Sequence, residues 1–266
     1  MDLSNDNMIH IHKEGVEYLQ FRKLLEYDNV INCYTLSTNS IDFNRNKDYF
    51  NREKVNNSYS KICKALDIEE KTIVRPYQSH TDKVEIVDNT SKEYKDVDGL
   101  LTNKENIDLM LTYADCTPIL LYDVKKRVIG NIHSGWRGTI KKMGQKGALK
   151  LIKEYNSNAE NILAFIGPCL GKCHFEVSED VKQEFEQVFS YLNRNNDIIE
   201  KSKKTEGKYY IDTTLINRLI LQEIGIKPCK IFESGICTMC NSKIMHSYRA
   251  SGKEAGRNVA IIGLKS

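Results

Sequence analysis

Apolar positions gather into short runs bounded by polar residues, and their spacing predicts the elements of the fold. Runs at Val84–Val87, Ile107–Thr112, Pro118–Tyr122, Val128–His133, Ile162–Ile166, Lys230–Phe232 and Val259–Leu264 read as strands. Three stretches carry helical spacing instead. Thr139–Tyr155 repeats Ile140, Met143, Leu149 and Ile152 along one side. Ser178 opens a second helix, with Glu179 and Asp180 at the positive end of its dipole. Asp212 opens a third, whose Leu215, Leu219 and Ile220 share a face and which Gly225 closes. Strands come in pairs and alternate irregularly with helices, so the pattern predicts a mixed α/β (α+β) fold rather than a repeated βαβ unit. The polar stretch NRNNDIIEKSKKTEGK, residues 193 to 208, reads as a surface excursion. With no repeat, low-complexity tract or linker, a single domain over residues 1–266 is expected.

Composition narrows the function. The 266 residues are 40% apolar and 28% charged, with a formal charge of +3, as in a globular protein with a sizeable core. That charge is small and evenly spread, and no basic stripe interleaves with aromatics, so a nucleic-acid footprint is not expected. MDLSNDNMIHIHKEG has neither the positive nor the apolar region of a signal peptide, and no apolar run approaches the ~18 residues of a membrane span. The expectation is a cytoplasmic chain whose eight cysteines are reduced thiols, some of them ligands. No glycine-rich phosphate loop or dinucleotide fingerprint is present.

The chemistry concentrates in TYADCTPILLYD, residues 112 to 123, and NIHSGWRGT, residues 131 to 139. If the two strands form a hairpin turning at Asp123–Lys126, Tyr122 pairs with Arg127 and Cys116 falls opposite His133. Cross-strand Cβ atoms lie about 5 Å apart, close enough to share one metal ion, whereas a one-residue slip would separate the two side chains onto opposite faces. Pro118 cannot donate to a ladder and belongs at a strand start or edge. A third ligand must come from elsewhere. His80, in RPYQSHTDKVEIVD, precedes a strand; His174 and His246 are alternatives, and His10 and His12 fall in a frayed terminus. One thiolate and two imidazoles suit zinc with an open fourth position, or copper in a trigonal site. Cys237-Thr-Met-Cys240 resembles half a zinc knuckle whose partner would be Cys229, Cys169 or Cys173.

Eight motifs in order, QSHTDKV, DGLLTN, TYADCTPILLYD, NIHSGWRGT, IGPCLGKCHFEVSEDV, YYIDTTLINRLILQEIGI, ESGICTMC and HSYRASGKEAGRNVAIIGL, resemble the family known as polyphenol oxidase or laccase-domain protein, peptidoglycan-editing factor and purine nucleoside phosphorylase. The resemblance is strong over residues 71–266 and weak over 1–70. It implies a mixed α/β sandwich with sheets between helical layers, and one zinc or copper ion on His80, Cys116 and His133. It also implies phosphorolysis of adenosine, inosine and methylthioadenosine, with adenosine deamination as a second reaction. Purine nucleoside and phosphate are then the expected partners. Two departures stand out. The family's TTRxGGxS pattern is replaced by YTLSTNSIDF, Tyr34 to Phe43, and its paired arginines after SY become Arg249 and Ala250.

For the reaction itself, Asp115 is the candidate proton-handling group, since no H-x-E motif of the zinc nucleobase deaminases occurs. Arg249 and Arg137 are candidate phosphate ligands, Trp136 a candidate purine platform, and Gln78 a further substrate-side residue. Rival readings are a copper-dependent polyphenol oxidase, a hydrolase in which His133 activates Cys116 to edit peptidoglycan precursors, and a binding protein with a structural zinc.

Overall fold

The computed structural model describes residues 1–45, 51–192 and 197–266. In chain order, strands β1 (Met8–Lys13), β2 (Val16–Phe21) and β3 (Val30–Thr35) precede helix α1 (Arg52–Leu66). Then come β4 (Ile73–Val74), β5 (Val84–Ile86), β6 (Gly99–Thr102), β7 (Ile107–Tyr113), β8 (Thr117–Asp123) and β9 (Val128–Ser134). Helices α2 (Trp136–Ile140) and α3 (Met143–Tyr155) lead to β10 (Ile162–Ile166), β11 (Glu176–Ser178) and α4 (Glu179–Phe189). The chain finishes with β12 (Ile199–Lys201), β13 (Lys208–Ile211), α5 (Thr213–Glu223), β14 (Ile231–Glu233), α6 (Tyr248–Ser251) and β15 (Asn258–Leu264).

Two mixed sheets result. The first runs β1-β2-β3-β15-β7-β4 and the second β14-β10-β8-β9-β6-β5, while β11-β13-β12 makes a small third sheet. Leu19, Phe21, Leu111 and Ile262 of the first sheet meet Leu120, Ile129 and Phe165 of the second in the main core, so the two sheets face each other. The outer face of the first sheet, with Ile31, Met110 and Ile261, is covered by Val55, Tyr59, Ile62 and Leu66 of α1. The outer face of the second, with Ile119, Ile132 and Ile166, is covered by α3 and α5. Helices therefore flank a two-sheet sandwich, the expected layering.

The predicted strands all form, but several readings need correction. The Thr139–Tyr155 helix is two helices, broken where Lys142 adopts φ 57°. Its buried stripe is Met143, Gly144, Gly147, Ala148 and Leu151, whereas Leu149 is 44% exposed. Small residues make the contact because α3 presses close to β9: a Cβ on Gly147 would lie 2.6 Å from Ile132 Cδ1. Ser178 occupies the N-cap of α4 but directs its hydroxyl to the Asp180 carboxylate rather than to a backbone N–H. Asp212 does cap α5, accepting from Leu215 N at 2.8 Å, and Gly225 follows the helix at φ 95°. The 193–208 stretch is not wholly a surface excursion: residues 193–196 lie outside the described residues, but Ile198 and Ile199 are buried and β12 pairs with β13. His10 and His12 are not frayed, since β1 pairs with β2 along its length.

The hairpin register also differs by two residues. Asp123 pairs with Val128 and Pro118 with His133. The cause is the turn: Asp123 Oδ1 accepts from Lys125 N (2.8 Å) and Lys126 N (3.0 Å), and Arg127 takes φ 52°, so the loop holds residues 124–127. Cys116 therefore lies beyond the Thr117–Ser134 pair rather than opposite His133. An even shift preserves the face, so both side chains still converge. Pro118 is tolerated at the start of an interior strand because its carbonyl points to the β10 side, where Gly167 N donates just past that strand's end.

Candidate functional site

His80, Cys116 and His133 come together, with one donor atom from each lying within 4.8 Å of the others. Cys116 Sγ is 3.7 Å from His80 Nε2, and the two imidazoles meet edge to face at 5.0 Å. Each residue is placed by a local device. His133 is the penultimate residue of β9, and its N–H donates to Asp98 O. Cys116 follows Asp115, whose φ of 83° turns the chain into β8. His80 itself sits at φ 61° on the loop between β4 and β5. Gly135 leaves room for the group: a Cβ there would stand 3.1 Å from Cys116 Sγ and 3.0 Å from the His80 ring.

The residue that organises this trio was not singled out in the sequence. Asp98, in the motif DGLLTN, is fully buried. Its carboxylate accepts from Thr81 N (2.7 Å), Thr81 Oγ1 (2.9 Å), Ser79 N (3.3 Å) and His80 N (3.2 Å), which holds the His80 loop in its left-handed turn. It also pairs with His133 Nδ1 at 2.8 Å. A carboxylate only accepts, so Nδ1 carries the proton and Nε2 is left to face the trio. Burial works against the charge on Asp98, but the His133 and Thr81 donors hold its carboxyl down at about 2. Burial would likewise raise the Cys116 thiol; the His133 and His80 imidazoles outweigh it and bring the thiol down to about 6. Burial would lower His133, yet Cys116 and Asp98 raise it to about 9. Cys116 and His133 thus each favour the charged form of the other. A thiolate and two imidazoles within reach of one point, with the second nitrogen of His133 already taken, fit a divalent transition metal.

The trio lines a cleft of about 990 Å³. Trp136, half-buried at the start of α2, lines it and is covered on one side by the Arg137 guanidinium at 4.0 Å from the ring. Arg249 lines it too: its Nη1 donates to His174 O (2.8 Å) and Glu176 O (3.1 Å), and its guanidinium lies 5.9 Å from the centre of the Phe175 ring. Asp115 lines the cleft too, with both oxygens engaged: Oδ1 accepts from Thr238 Oγ1 at 2.5 Å and Oδ2 from Arg249 N at 2.6 Å. Gln78 is at the cleft edge, but its amide is taken up by Thr112, accepting from Thr112 N and donating to Thr112 O. Arg257 is a cleft residue that the sequence reading passed over. Its Nη1 donates to Ala255 O and Gly256 O, and burial lowers its pKa from the ordinary arginine value despite the nearby Cys116 and Asp115.

The two departures from the family pattern have structural outcomes. In the stretch that replaces the first, Asn39 and Ser40 adopt φ 52° and 62°, left-handed conformations taken here without glycine. Ala250 is exposed and is not among the residues lining the cleft. Of the remaining histidines, His246 bonds Ile41 O at 2.8 Å, away from the trio. His174 instead joins Cys173, Cys237 and Cys240 in a second cluster, while Cys229 takes no part in it.

A profile of the family described as multi-copper polyphenol oxidoreductase laccase matches residues 38–265. Purine nucleoside phosphorylase YlmD of Bacillus subtilis (strain 168) is 30% identical over 197 residues, spanning 71% of this chain and 69% of that protein. Adenosine deaminase RL5, from an unknown prokaryotic organism, is 29% identical over 205 residues, spanning 74% of this chain and 76% of its own. The crystal structure of Bacillus licheniformis hypothetical protein YfiH superimposes with a TM-score of 0.85 at 25% identity, covering 93% of this chain and 96% of that one.

Proposed function

The chain belongs to the multi-copper polyphenol oxidoreductase laccase family, and from that premise we propose that it is a zinc-dependent purine nucleoside enzyme. It phosphorolyses adenosine, inosine and methylthioadenosine to the free base and the (methylthio)ribose 1-phosphate, and deaminates adenosine as a second reaction. The observation that carries this reading is the convergence of one thiolate and two imidazoles in a cleft that also presents arginines and an indole. The names of relatives such as YlmD and RL5 supply the reaction classes.

His80, Cys116 and His133 would hold the zinc. Bound there, zinc would supply Lewis acidity that polarises an oxygen and lowers a water's pKa towards neutrality. The chain's own residues do the rest. Arg249 holds phosphate: of its guanidinium nitrogens only Nη1 donates to the described residues, which leaves Nε and Nη2 for phosphate oxygens. Arg137 and Arg257 add charge to the cleft. In phosphorolysis a phosphate oxygen attacks C1′ of the ribose while the C1′–N9 bond breaks, and positive charge builds on the sugar. Asp115, each oxygen having a lone pair beyond the hydrogen bond it accepts, takes the proton of the attacking phosphate and passes it to the purine, which leaves with the C1′–N9 electron pair. Trp136 offers the purine an indole face.

The histidine distribution opposes a multi-copper centre. All six are described: two are in the trio, one is in the second cluster, two are on β1 and one is on the Ile41 carbonyl. A second reading is favoured by one feature, the array Cys116–His133–Asp98, which has the order of a nucleophile, a base and its orienting carboxylate. On that reading, metal-free protein cleaves peptidoglycan-precursor amides and zinc inhibits it.

The test is product analysis with zinc-quantified protein, adenosine, and phosphate present or omitted, beside His80→Ala. Phosphate-dependent adenine release that falls at least about 100-fold in the variant is expected. Inosine without adenine would leave only the deaminase half. No product from either reaction, with zinc bound, would sink the proposal.

A further inference from the structure

The second cluster differs in kind from the first. Cys173 and His174 sit on the turn after the Gly167-Pro168 step, where His174 N and Phe175 N both bond Gly171 O. Cys237 and Cys240 sit on a turn that Asn241 N closes onto Cys237 O. The two turns are laced by Cys169 N to Ile236 O and Thr238 N to Cys169 O, and Gly171 N donates to Cys237 Sγ at 3.3 Å. That lacing brings four donor atoms to within 4.8 Å of one another. His174 Nδ1 lies 3.3 Å from Cys173 Sγ, 3.7 Å from Cys237 Sγ and 3.4 Å from Cys240 Sγ, and the Cys173 and Cys240 sulfurs are 3.8 Å apart.

Those separations are the edges of a coordination tetrahedron. Zinc–sulfur bonds of about 2.3 Å and zinc–nitrogen bonds of about 2.0 to 2.1 Å give sulfur–sulfur edges of about 3.8 Å and sulfur–nitrogen edges of about 3.6 Å. All eight cysteines are free thiols, and the Cys173–Cys240 separation is far beyond the about 2.05 Å of a disulfide. Packing does not explain the set either, since Cys173 and Cys240 are exposed, whereas unreactive cysteines are among the most buried residues. Surface thiols gathered around one imidazole nitrogen are what a closed structural site requires.

We propose that Cys173, His174, Cys237 and Cys240 bind a second zinc ion in a closed, four-ligand structural site. It has no open position, in contrast to the three-ligand trio, so its role is to hold the cleft wall. It staples the 171–175 turn to the 237–241 turn. The first carries the His174 carbonyl and runs directly into Glu176 of β11, and those two carbonyls hold Arg249; the second carries Thr238, which donates to Asp115.

The experiment is zinc stoichiometry on anaerobically purified full-length protein, for the parent chain and for Cys173→Ser/Cys240→Ser. The double variant should lose one zinc equivalent per chain relative to the parent, whatever the trio binds, and should melt at lower temperature. Unchanged zinc in a folded double variant, or a Cys173–Cys240 disulfide peptide from the anaerobic parent, would overturn the site. Should the double variant fail to fold, His80→Ala/Cys116→Ser decides, because it removes the trio's thiolate and leaves the second set intact. Loaded with cobalt(II), it should show the intense thiolate-to-metal absorption and tetrahedral visible bands of a three-thiolate site. Their absence would overturn the proposal.

Discussion

Asp98 shows how one buried carboxylate fixes a site that it does not itself form. It bonds His133 Nδ1 on one side and the backbone of the His80 loop on the other, so it sets both the tautomer of His133 and the left-handed turn at His80. Asp98→Asn keeps the size but turns part of an acceptor-only group into a donor facing donors. Metal affinity should fall by about 10- to 100-fold, read by competition with a chromogenic chelator; affinity equal to that of the parent would show that the trio orients itself. At this scale the sequence was partly legible. Counting along a hairpin put Cys116 and His133 on one face even though its register was two residues off, and His80 was marked by its motif. Asp98 could not, because an aspartate before a glycine at a strand start looks like turn chemistry until the fold sets it beneath two histidines. Arg257 was hidden for a similar reason, lying in GKEAGRN with no local pattern to set it apart.

At the scale of elements, the contact between α3 and β9 depends on glycine. The Cβ of Gly147→Ala would meet Ile132 Cδ1 at 2.6 Å and Cγ1 at 2.8 Å, in a side chain that is itself fully buried. Alanine is the better helix former by about 1 kcal/mol, but overpacking a filled core costs about 1 to 3 kcal/mol. Net destabilisation is expected in urea unfolding, with Ile132→Val recovering part of it by removing Cδ1. A stabilised variant would mean that the helix can shift outward. The same contact explains why the apolar period misled over Thr139–Tyr155. Periodicity counts large apolar side chains, while this helix buries Gly144, Gly147 and Ala148 and leaves Leu149 outside. The strands were easier to read, since in the second sheet β8, β9 and β10 are buried on both faces and appear as continuous apolar runs. α1 had a visible stripe in Val55, Tyr59, Ile62 and Leu66, but polar neighbours such as Asn56, Asn57 and Lys61 mask it.

At the scale of the whole molecule, the first sheet buries Asp108 between the Thr72 hydroxyl, which donates to it, and Gly263, where a side chain would collide with its carboxylate. Burial raises its pKa above the ordinary carboxylate value. The folded chain therefore keeps this proton at a pH where the unfolded chain, ionising near about 3.9, has lost it. Folding binds a proton in that window, so stability falls as pH rises through it and stays lower at neutrality. Asp108→Asn should be more stable than the parent at pH 7, with the gap closing towards pH 4. Urea midpoints at the two pH values check this; a gap independent of pH would assign the effect to packing. The mixed layered architecture was foreseeable from paired strands and irregular helices, but the strand order was not, because pairing between distant segments leaves no periodic trace. That order matters most at β15, which follows every other strand of its sheet in the chain yet lies between β3 and β7. During translation those two strands emerge with bare hydrogen-bonding edges and no neighbour to seal them. Until β15 leaves the ribosome the nascent chain carries a gap in the middle of its first sheet, so it is most exposed to chaperones and to misassembly just before its synthesis reaches that strand.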